Sequence, residues 1–545
     1  MTVATAQSKC VSFRDIPHTT PLFESFLERF DKVAKYYAFP PTIAGLKSSA
    51  EKVELDPEVR RIVVEVLREQ NQKFGSSDAA RKNLDRLANG AVAVVTGQQV
   101  GLFGGPSYSV YKAISAVAYA RELTKQGIDT VPVFWLATED HDLAEINHAS
   151  WVTSKGMQEF SLSDTREAEG RRVGEVILGD AITALASRAA DSLEGPEADA
   201  VANALRGSYT STETYGSAFG KLMARLVPEL GIVLLDPLDR RLHNVSANIY
   251  RRALDRTDSL RDALIARSKE LERGGFHAQV KVARESTLLF YNVDGRREPL
   301  RVRSGKFFAG KRHFTLDELH AAIESEPEAF TPNVLLRPIV QDTLLPTAAY
   351  IGGPAEIAYM AQAEVVYESL LGRMPAILPR SSFTLVEPPV ARLLKKYSLT
   401  FEDILAGRQS VRAKMEQTSL PSALAKKFET HEKALHKLLA AYRDPLKKLD
   451  KTLLGALDSA EKKMLFQFAK LKRKAGRAEN LRTGVLDRHE RILLDALYPH
   501  RDLQERLLGA LPFLSAYRAD LVAMLEDSGA EQSSSCAHQH RVIWL

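Results

Sequence analysis

Cysteine is nearly absent. The only two in 545 residues, Cys10 and Cys536, stand near opposite ends of the chain with neither metal-like nor redox spacing. That usage argues against a disulfide framework and for a reducing cytoplasm. No apolar run is long enough to span a bilayer, and Met1–Cys10 lacks the basic-then-apolar order of a signal peptide. A dominant charge is missing too: 74 basic and 69 acidic residues leave +5, too mild to imply a nucleic-acid partner. Nor is there a Walker A loop, a GxGxxG dinucleotide fingerprint or an HExxH zinc motif. What remains is a globular composition, 45% apolar and 26% charged, on a chain longer than one ordinary core. Two or more domains are expected.

Residues 1 to about 90 have helical spacing, as in Leu22, Phe23, Phe26, Leu27 and Phe30. A91-V-A-V-V95 and V131-P-V-F-W-L136 are short continuous apolar runs with a helical pattern, Pro106–Gln126, between them. Strand, helix, strand of this kind predicts a parallel sheet buried on both faces, an α/β core. Residues 231–236, 333–337 and 347–351 are candidates for further strands. Insertions are expected at about 150–225 and at about 274–312, the second a small antiparallel unit with a turn at Asp294-Gly295. The predicted division is a core over 1–384, a helical domain over 385–510, and a C-terminal helix and tail over 511–545. Leu435, Leu439, Tyr442, Leu446, Leu449, Leu453, Ala456 and Ala460 alternate four and three apart, a heptad seam. It predicts either a dimerising coiled coil or an intramolecular hairpin, with a turn at Lys474–Arg477.

Three stretches carry chemistry. V95-T-G-Q-Q-V-G-L-F-G-G-P-S-Y-S-V-Y-K112 follows the first strand. Pro106 suits a helix's first turn, which puts Gly104 and Gly105 at a helix N-terminus where free N–H groups favour an anion. Ser107 and Lys112 add a hydroxyl and an ammonium; the plainer alternative is a tight strand-to-helix turn. The next strand runs into Glu139, Asp140, His141 and Asp142, four titratable groups at the sheet edge where open α/β folds bind ligands. Facing the glycine loop, they suit an amine, a phosphate-bound magnesium ion, or both. His141, Glu145 and His148 have helical spacing for a metal, and Asp and Glu also favour a helix start for structural reasons; no residue is assigned to a resident metal. In the third stretch, G352-G-P-A-E-I-A-Y359 echoes G104-G-P-S-Y-S-V-Y111, and Arg337, Gln341 and Asp342 precede it. Arg337 is the candidate clamp for carboxylate or phosphate. K470-L-K-R-K-A-G-R477 reads as a solvated helix tip, and His277 with Gln279 as either crevice or loop residues.

T96-G-Q-Q-V-G-L-F-G-G-P106 with Tyr111-Lys112, F134-W-L-A-T-E-D-H-D142 with E145-I-N147, and Arg337-Pro338 through Glu356 resemble the bacillithiol-biosynthesis cysteine-adding enzymes over nearly the whole chain. The resemblance implies a Rossmann-like core with connecting insertions and a coiled-coil domain that mediates homodimerisation. It also implies the joining of L-cysteine to the amine of glucosaminyl-malate. Carboxylate activation then calls for ATP, ADP being the other candidate nucleotide, with Mg2+ accompanying it. On this basis Glu139, Asp140, His141 and Asp142 are the catalytic candidates. The binding candidates are Thr96, Gly97, Gln98, Gln99, Gly105, Pro106, Ser107, Tyr108, Lys112, Trp135, Asn147, Arg337, Gln341, Asp342, Gly352, Gly353 and Glu356. The expected partners are these small molecules and a second copy of the chain, with neither nucleic acid nor membrane. Residues 97–112 lack the histidines of class I synthetases, and no KMSKS-like loop is present, so their adenylation mechanism does not transfer. The alternative reading is a dimeric nucleotide-binding scaffold without turnover.

Overall fold

Continuous apolar runs become the buried strands of one sheet. A computed structural model describes residues 7–162, 168–418, 420, 422–530 and 536–545. Strands β1 (Val92–Gln98), β2 (Thr130–Leu136), β3 (Val233–Leu235), β4 (Thr347–Gly352) and β5 (Ala376–Pro379) pair in the order β5-β4-β1-β2-β3. Every pairing is parallel. Every residue of β2, β4 and β5 is buried, which is why these segments show no polar alternation. Helix α1 (Tyr108–Lys125) follows β1, and α3 (Pro354–Leu370) follows β4, with α2 (Arg337–Leu344) just before that strand. The connection from β1 leads to β2 on one side and that from β4 to β5 on the other. The strand order therefore reverses between β1 and β4, and a crevice opens at their carboxyl ends.

Residues 333–337 form a turn into α2 instead of the expected strand. The Asn333 side-chain oxygen accepts from the amides of Leu335 and Leu336, both at 3.0 Å, so the local side chain outcompetes a ladder. The first insertion holds the hairpin His148–Thr153/Gly156–Ser161 and the helices Ala181–Ala190 and Ala198–Ser208. The antiparallel unit starts at Ser286 and gains a fifth strand from Phe330–Pro332. Asp294 and Gly295 have φ of 51° and 80°, the positive pair a two-residue hairpin turn requires.

The chain forms two compact units. One runs to Phe383 and takes back Glu505–Arg541; the other is Thr384–Gln504 with Val542–Leu545. The return of residues 505–541 to the first unit differs from the expected division at 510/511. It brings the chain ends together: Cys10 and Cys536 are joined in a disulfide with Cα atoms 5.7 Å apart. This corrects the reading of two unrelated thiols, because spacing along the chain says nothing about proximity once the termini fold onto one unit.

In the second unit the heptad seam is not one helix. Helix α4 (Ser422–Ala440) and the short helix Arg443–Leu449 lead to a turn at Asp450–Thr452, and α5 (Leu453–Thr483) folds back. Asp450 fixes the turn by accepting the Thr452 amide at 2.8 Å. Phe428–Phe468, His436–Glu461 and Arg443–Asp458 pair across the hairpin, an antiparallel register. Lys474–Arg477 is helical and not the predicted turn. Among the described residues no helix is long and apolar enough to cross a membrane.

Candidate active site

The crevice is a cavity of about 720 Å³ lined from four strand ends. Gly97, Gln98 and Gln99 come from β1, and Trp135, Glu139, Asp140 and His141 from the end of β2. Gly353, Glu356 and Tyr359 follow β4, and Arg380 follows β5. Tyr108, Lys112 and Arg337 complete the predicted set found here, while Phe290, Arg297, Tyr350, Tyr359, Arg380 and Arg506 line it without having been predicted.

Lys112 is not a free cation. Its ammonium donates to the Gly97 carbonyl at 2.7 Å and to Gln98 Oε1 at 2.8 Å, and pairs with Glu356 Oε2 at 2.5 Å. Three protons have three partners, so the side chain ties α1 to α3 under the cavity floor. Burial lowers the Lys112 pKa and Glu356 opposes the fall. Burial in turn acts to raise Glu356, but Lys112 and the Gly353 amide hold its carboxylate below the ordinary value. Glu356 also accepts from Gly353 N at 2.8 Å and from Tyr350 Oη at 2.5 Å.

Arg337 is half-buried among rings, with Tyr350 and Trp135 centroids 5.3 and 5.9 Å away. It donates to Gln341 Oε1 and to Tyr359 Oη, and among the described residues no carboxylate lies within ion-pair distance. Trp135 Nε1 is buried without a hydrogen-bond partner. The first turn of α3 opens beside them, where helix geometry leaves the Ala355 and Glu356 amides without intrahelical acceptors. Donors of this kind could hold an anion.

The tetrad divides. Glu139 is 6% exposed, and burial raises its pKa from 4.5 to about 7 against the pull of Arg297 and Arg172. Asp140 goes the other way: burial would raise it, but hydrogen bonds from His141 and Gln99 hold it far below the ordinary value. His141 Nδ1 accepts from Arg297 at 3.0 Å, which places any single ring proton on Nε2. Arg297 also donates to Thr331 Oγ1 and the Pro332 carbonyl and stacks on Phe290 at 3.7 Å. Asp142 is exposed and caps the short helix Leu143–Ile146 through the Ala144 and Glu145 amides, outside the cavity.

Other predicted residues lie outside the lining for structural reasons. Thr96 is buried and its hydroxyl bridges to the Ile351 carbonyl. Gly105, Pro106 and Ser107 face residues 505–509: Pro106 pairs with Gly509, and the Ser107 amide donates to the Leu508 carbonyl at 2.8 Å. The returning segment thus covers the α1 N-terminus expected to hold phosphate. Phe103, Gly104 and Gly105 all have positive φ (53°, 90°, 65°), so this glycine pair serves the turn itself. Pro106 precedes the helix, which starts at Tyr108. Gln341 and Asp342 are buried in a mutual hydrogen bond with Tyr367 beyond, and Gly352 ends β4 inside the sheet. Asn147 ends the short helix and faces His148, which opens a strand, so His141, Glu145 and His148 do not converge. His277 pairs with Gln279 at the surface, away from the lining.

Both halves of this architecture match one family. Residues 7–381 match the model described as bacillithiol biosynthesis BshC, N-terminal Rossmann-like domain, and residues 383–545 match its C-terminal coiled-coil domain. The chain belongs to the BshC family. A relative from Koribacter versatilis, named "Putative cysteine ligase BshC", is 43% identical over 535 residues, covering 98% of this chain and 99% of its own. Relatives with the same name from Solibacter usitatus and Chlorobaculum tepidum are 37% and 32% identical, covering 95% and 86% of this chain and 97% and 86% of their own. The BshC-type core explains the shared strand ends, but not all of the lining. Arg297 comes from a hairpin far along the chain, and nothing in its local sequence separates it from Arg296 or Arg301. Arg380 carries a legible signal: it follows Pro379 at the end of a strand, where the strand-end rule would have found it had Ala376–Pro379 been recognised.

Proposed function

We propose that this chain is a cysteine ligase of bacillithiol biosynthesis. It would join the carboxyl of L-cysteine to the amine of glucosaminyl-malate at the expense of ATP, in the cytoplasm where ATP is available. Membership of the BshC family supports the class of reaction. The observation that carries it is Glu139, a buried carboxylate at the strand edge whose pKa of about 7 lets it accept a proton at neutral pH.

ATP supplies the free energy for carboxyl activation, and Mg2+ would accompany its phosphates. The residues present fit an anion at one place: Arg337, Trp135 Nε1 and the first amides of α3 are donors without an anionic partner. Phosphate or the malate carboxylates suit this side, and Asp140 with Gln99 and Glu145 suits an ammonium opposite. The glucosamine nitrogen must be neutral to attack. The nitrogen's electron pair forms the bond to the activated carboxyl carbon, the activating group leaves with its own pair as AMP or phosphate, and Glu139 takes the proton that the nitrogen sheds. Asp140, held ionised, accepts from Gln99 and from the His141 backbone amide and keeps a negative charge beside the amine.

The test is incubation with cysteine, glucosaminyl-malate and magnesium ATP, following the amide product with AMP or ADP by mass spectrometry. Product from the native protein and its loss in Glu139→Gln support the reading; no product from folded, nucleotide-binding protein overturns it. The lack of synthetase-type histidines in residues 97–112 favours a second reading, a nucleotide-binding scaffold, whose signature is saturable ATP binding without turnover. Homodimerisation fits the exposed apolar residues of the helical hairpin, among them Leu449 at 79% and Phe466 at 57% exposure.

A further inference from the structure

The Cys10–Cys536 disulfide has no part in the scheme above, yet a continuous path of contacts leads from it to the cavity. Cys10 lies on the strand Ser8–Val11, and both cysteines are half-buried, so a small thiol can reach the bond. Each arm of the bond leads to one imidazole. On one side Phe13, just after Cys10, packs edge-on against the His540 ring with centroids 6.3 Å apart. On the other, the Cys536 carbonyl accepts from the Gln539 amide at 3.2 Å in a turn, and His540 follows, fully buried. The Ser382 hydroxyl then joins His540 Nδ1 to Glu505 Oε1, both at 2.7 Å. Glu505 also accepts from the Phe383 amide at 2.8 Å and from the Arg380 guanidinium at 2.7 Å. Arg380 lines the cavity, 5.3 Å from the Tyr108 ring, and donates through its other terminal nitrogen to the Ser381 carbonyl at 2.9 Å. Ser382, Glu505 and His540 are all buried, so each depends on the next for its polar partner.

We propose that the Cys10–Cys536 bond is a thiol-controlled latch on the Arg380 corner of the cavity. Closed, it holds His540 against Ser382 and so fixes Glu505 and Arg380. Opened, it leaves the C-terminal arm without its covalent anchor. Water then takes the place of the imidazole, solvates Glu505 and screens its pair with Arg380. The reductant is a low-molecular-weight thiol. Its thiolate attacks one sulfur, the S–S bond breaks, and the other cysteine leaves with the electron pair as a thiolate that picks up a proton. A second thiol molecule cleaves the mixed disulfide in the same way. Two small thiols thereby become one small disulfide, and the protein gains two electrons and two protons. Disulfides in a reducing compartment are mostly of this reversible, sensing kind. The product proposed above carries a thiol of this class, so the latch answers to the pool that the enzyme fills; that link alone rests on the ligase reading.

The experiment holds the full-length protein in glutathione buffers from fully reducing to fully oxidising. Free thiols are counted by alkylation and mass spectrometry. Side-chain nitrogen NMR of arginine-labelled protein follows the guanidinium protons of Arg380 and Arg337, assigned by their absence in Arg380→Lys and Arg337→Lys. The expected result is reversible passage between disulfide and dithiol. On opening, the Arg380 protons should exchange with water about tenfold faster or more, while those of Arg337, held by Gln341 and Tyr359, stay as they were. Cys10→Ser should show the open-state exchange in every buffer. A bond that stays closed, or never forms, across the series overturns the proposal. So does an Arg380 signal that ignores the bond or changes no more than that of Arg337. Reduced protein that unfolds marks the bond as a structural staple and overturns the proposal as well. If Cys10→Ser fails to fold, native protein reduced and capped with a small alkylating reagent takes its place. No readout needs substrate or turnover, so failure of the ligase assay leaves the latch standing and sinks only the ligase reading.

Discussion

Glu139 pits stability against function. Its pKa lies above the unfolded value, so folding is favoured most when the carboxyl is protonated. That stability is present below pH 4.5 and is lost as pH rises through about 7, amounting to about 3 kcal/mol. Glu139→Gln cannot ionise. It should therefore unfold at higher temperature than the native protein at pH 8, with the gap closing towards pH 5, while product formation falls by about 10²–10⁴-fold. Calorimetry at the two pH values checks the first outcome and the mass-spectrometric product assay the second. Arg337 gives a different signature. Arg337→Ala should raise the KM of the anionic substrate by about 10–100-fold, the value of one or two charge-assisted hydrogen bonds. At this scale the sequence was legible where chemistry clusters along the chain, as in Glu139–Asp142. It was not legible for Arg297, whose neighbours in space, His141 among them, are far away in sequence.

Two Gly-Gly-Pro turns look alike in the sequence and end up different as elements. The α3 start keeps open amides in the cavity, whereas residues 505–509 cover the α1 start. Glu356 and Lys112 hold the two helices in register as a buried ion pair. Removing one partner strands the other's charge, so Lys112→Met should cost about 3–5 kcal/mol by denaturant unfolding, beyond any effect on ligand binding. Asp142 tests the reverse: Asp142→Ala removes a helix cap worth about 0.5–2 kcal/mol and should leave the pH profile of turnover in place. Strand and helix types followed from apolar runs and periodicity. Residues 333–337 escaped that logic because Asn333 uses its side chain to close a turn, a choice hidden in an apolar-looking segment.

For the whole molecule, the ends decide more than their composition suggests. The Cys10–Cys536 bond closes nearly the entire chain, and Cys10→Ser should lower stability by about 2–4 kcal/mol under non-reducing conditions only, read as a shift in Tm with and without reductant. The sequence by itself determined the parallel α/β core, the helical second part and the strand ends at which polar groups gather, because burial on two faces and heptad spacing are local patterns. It also carried the family motifs whole. Only the tertiary structure decided that the seam folds back at Asp450–Thr452, that residues 505–541 return to the first unit, and that Lys112 is spent on Gly97, Gln98 and Glu356. The physical reason is the same in each case: a side chain's partners are set by which distant segments meet, and desolvation at that meeting, as at Glu139, then sets its charge.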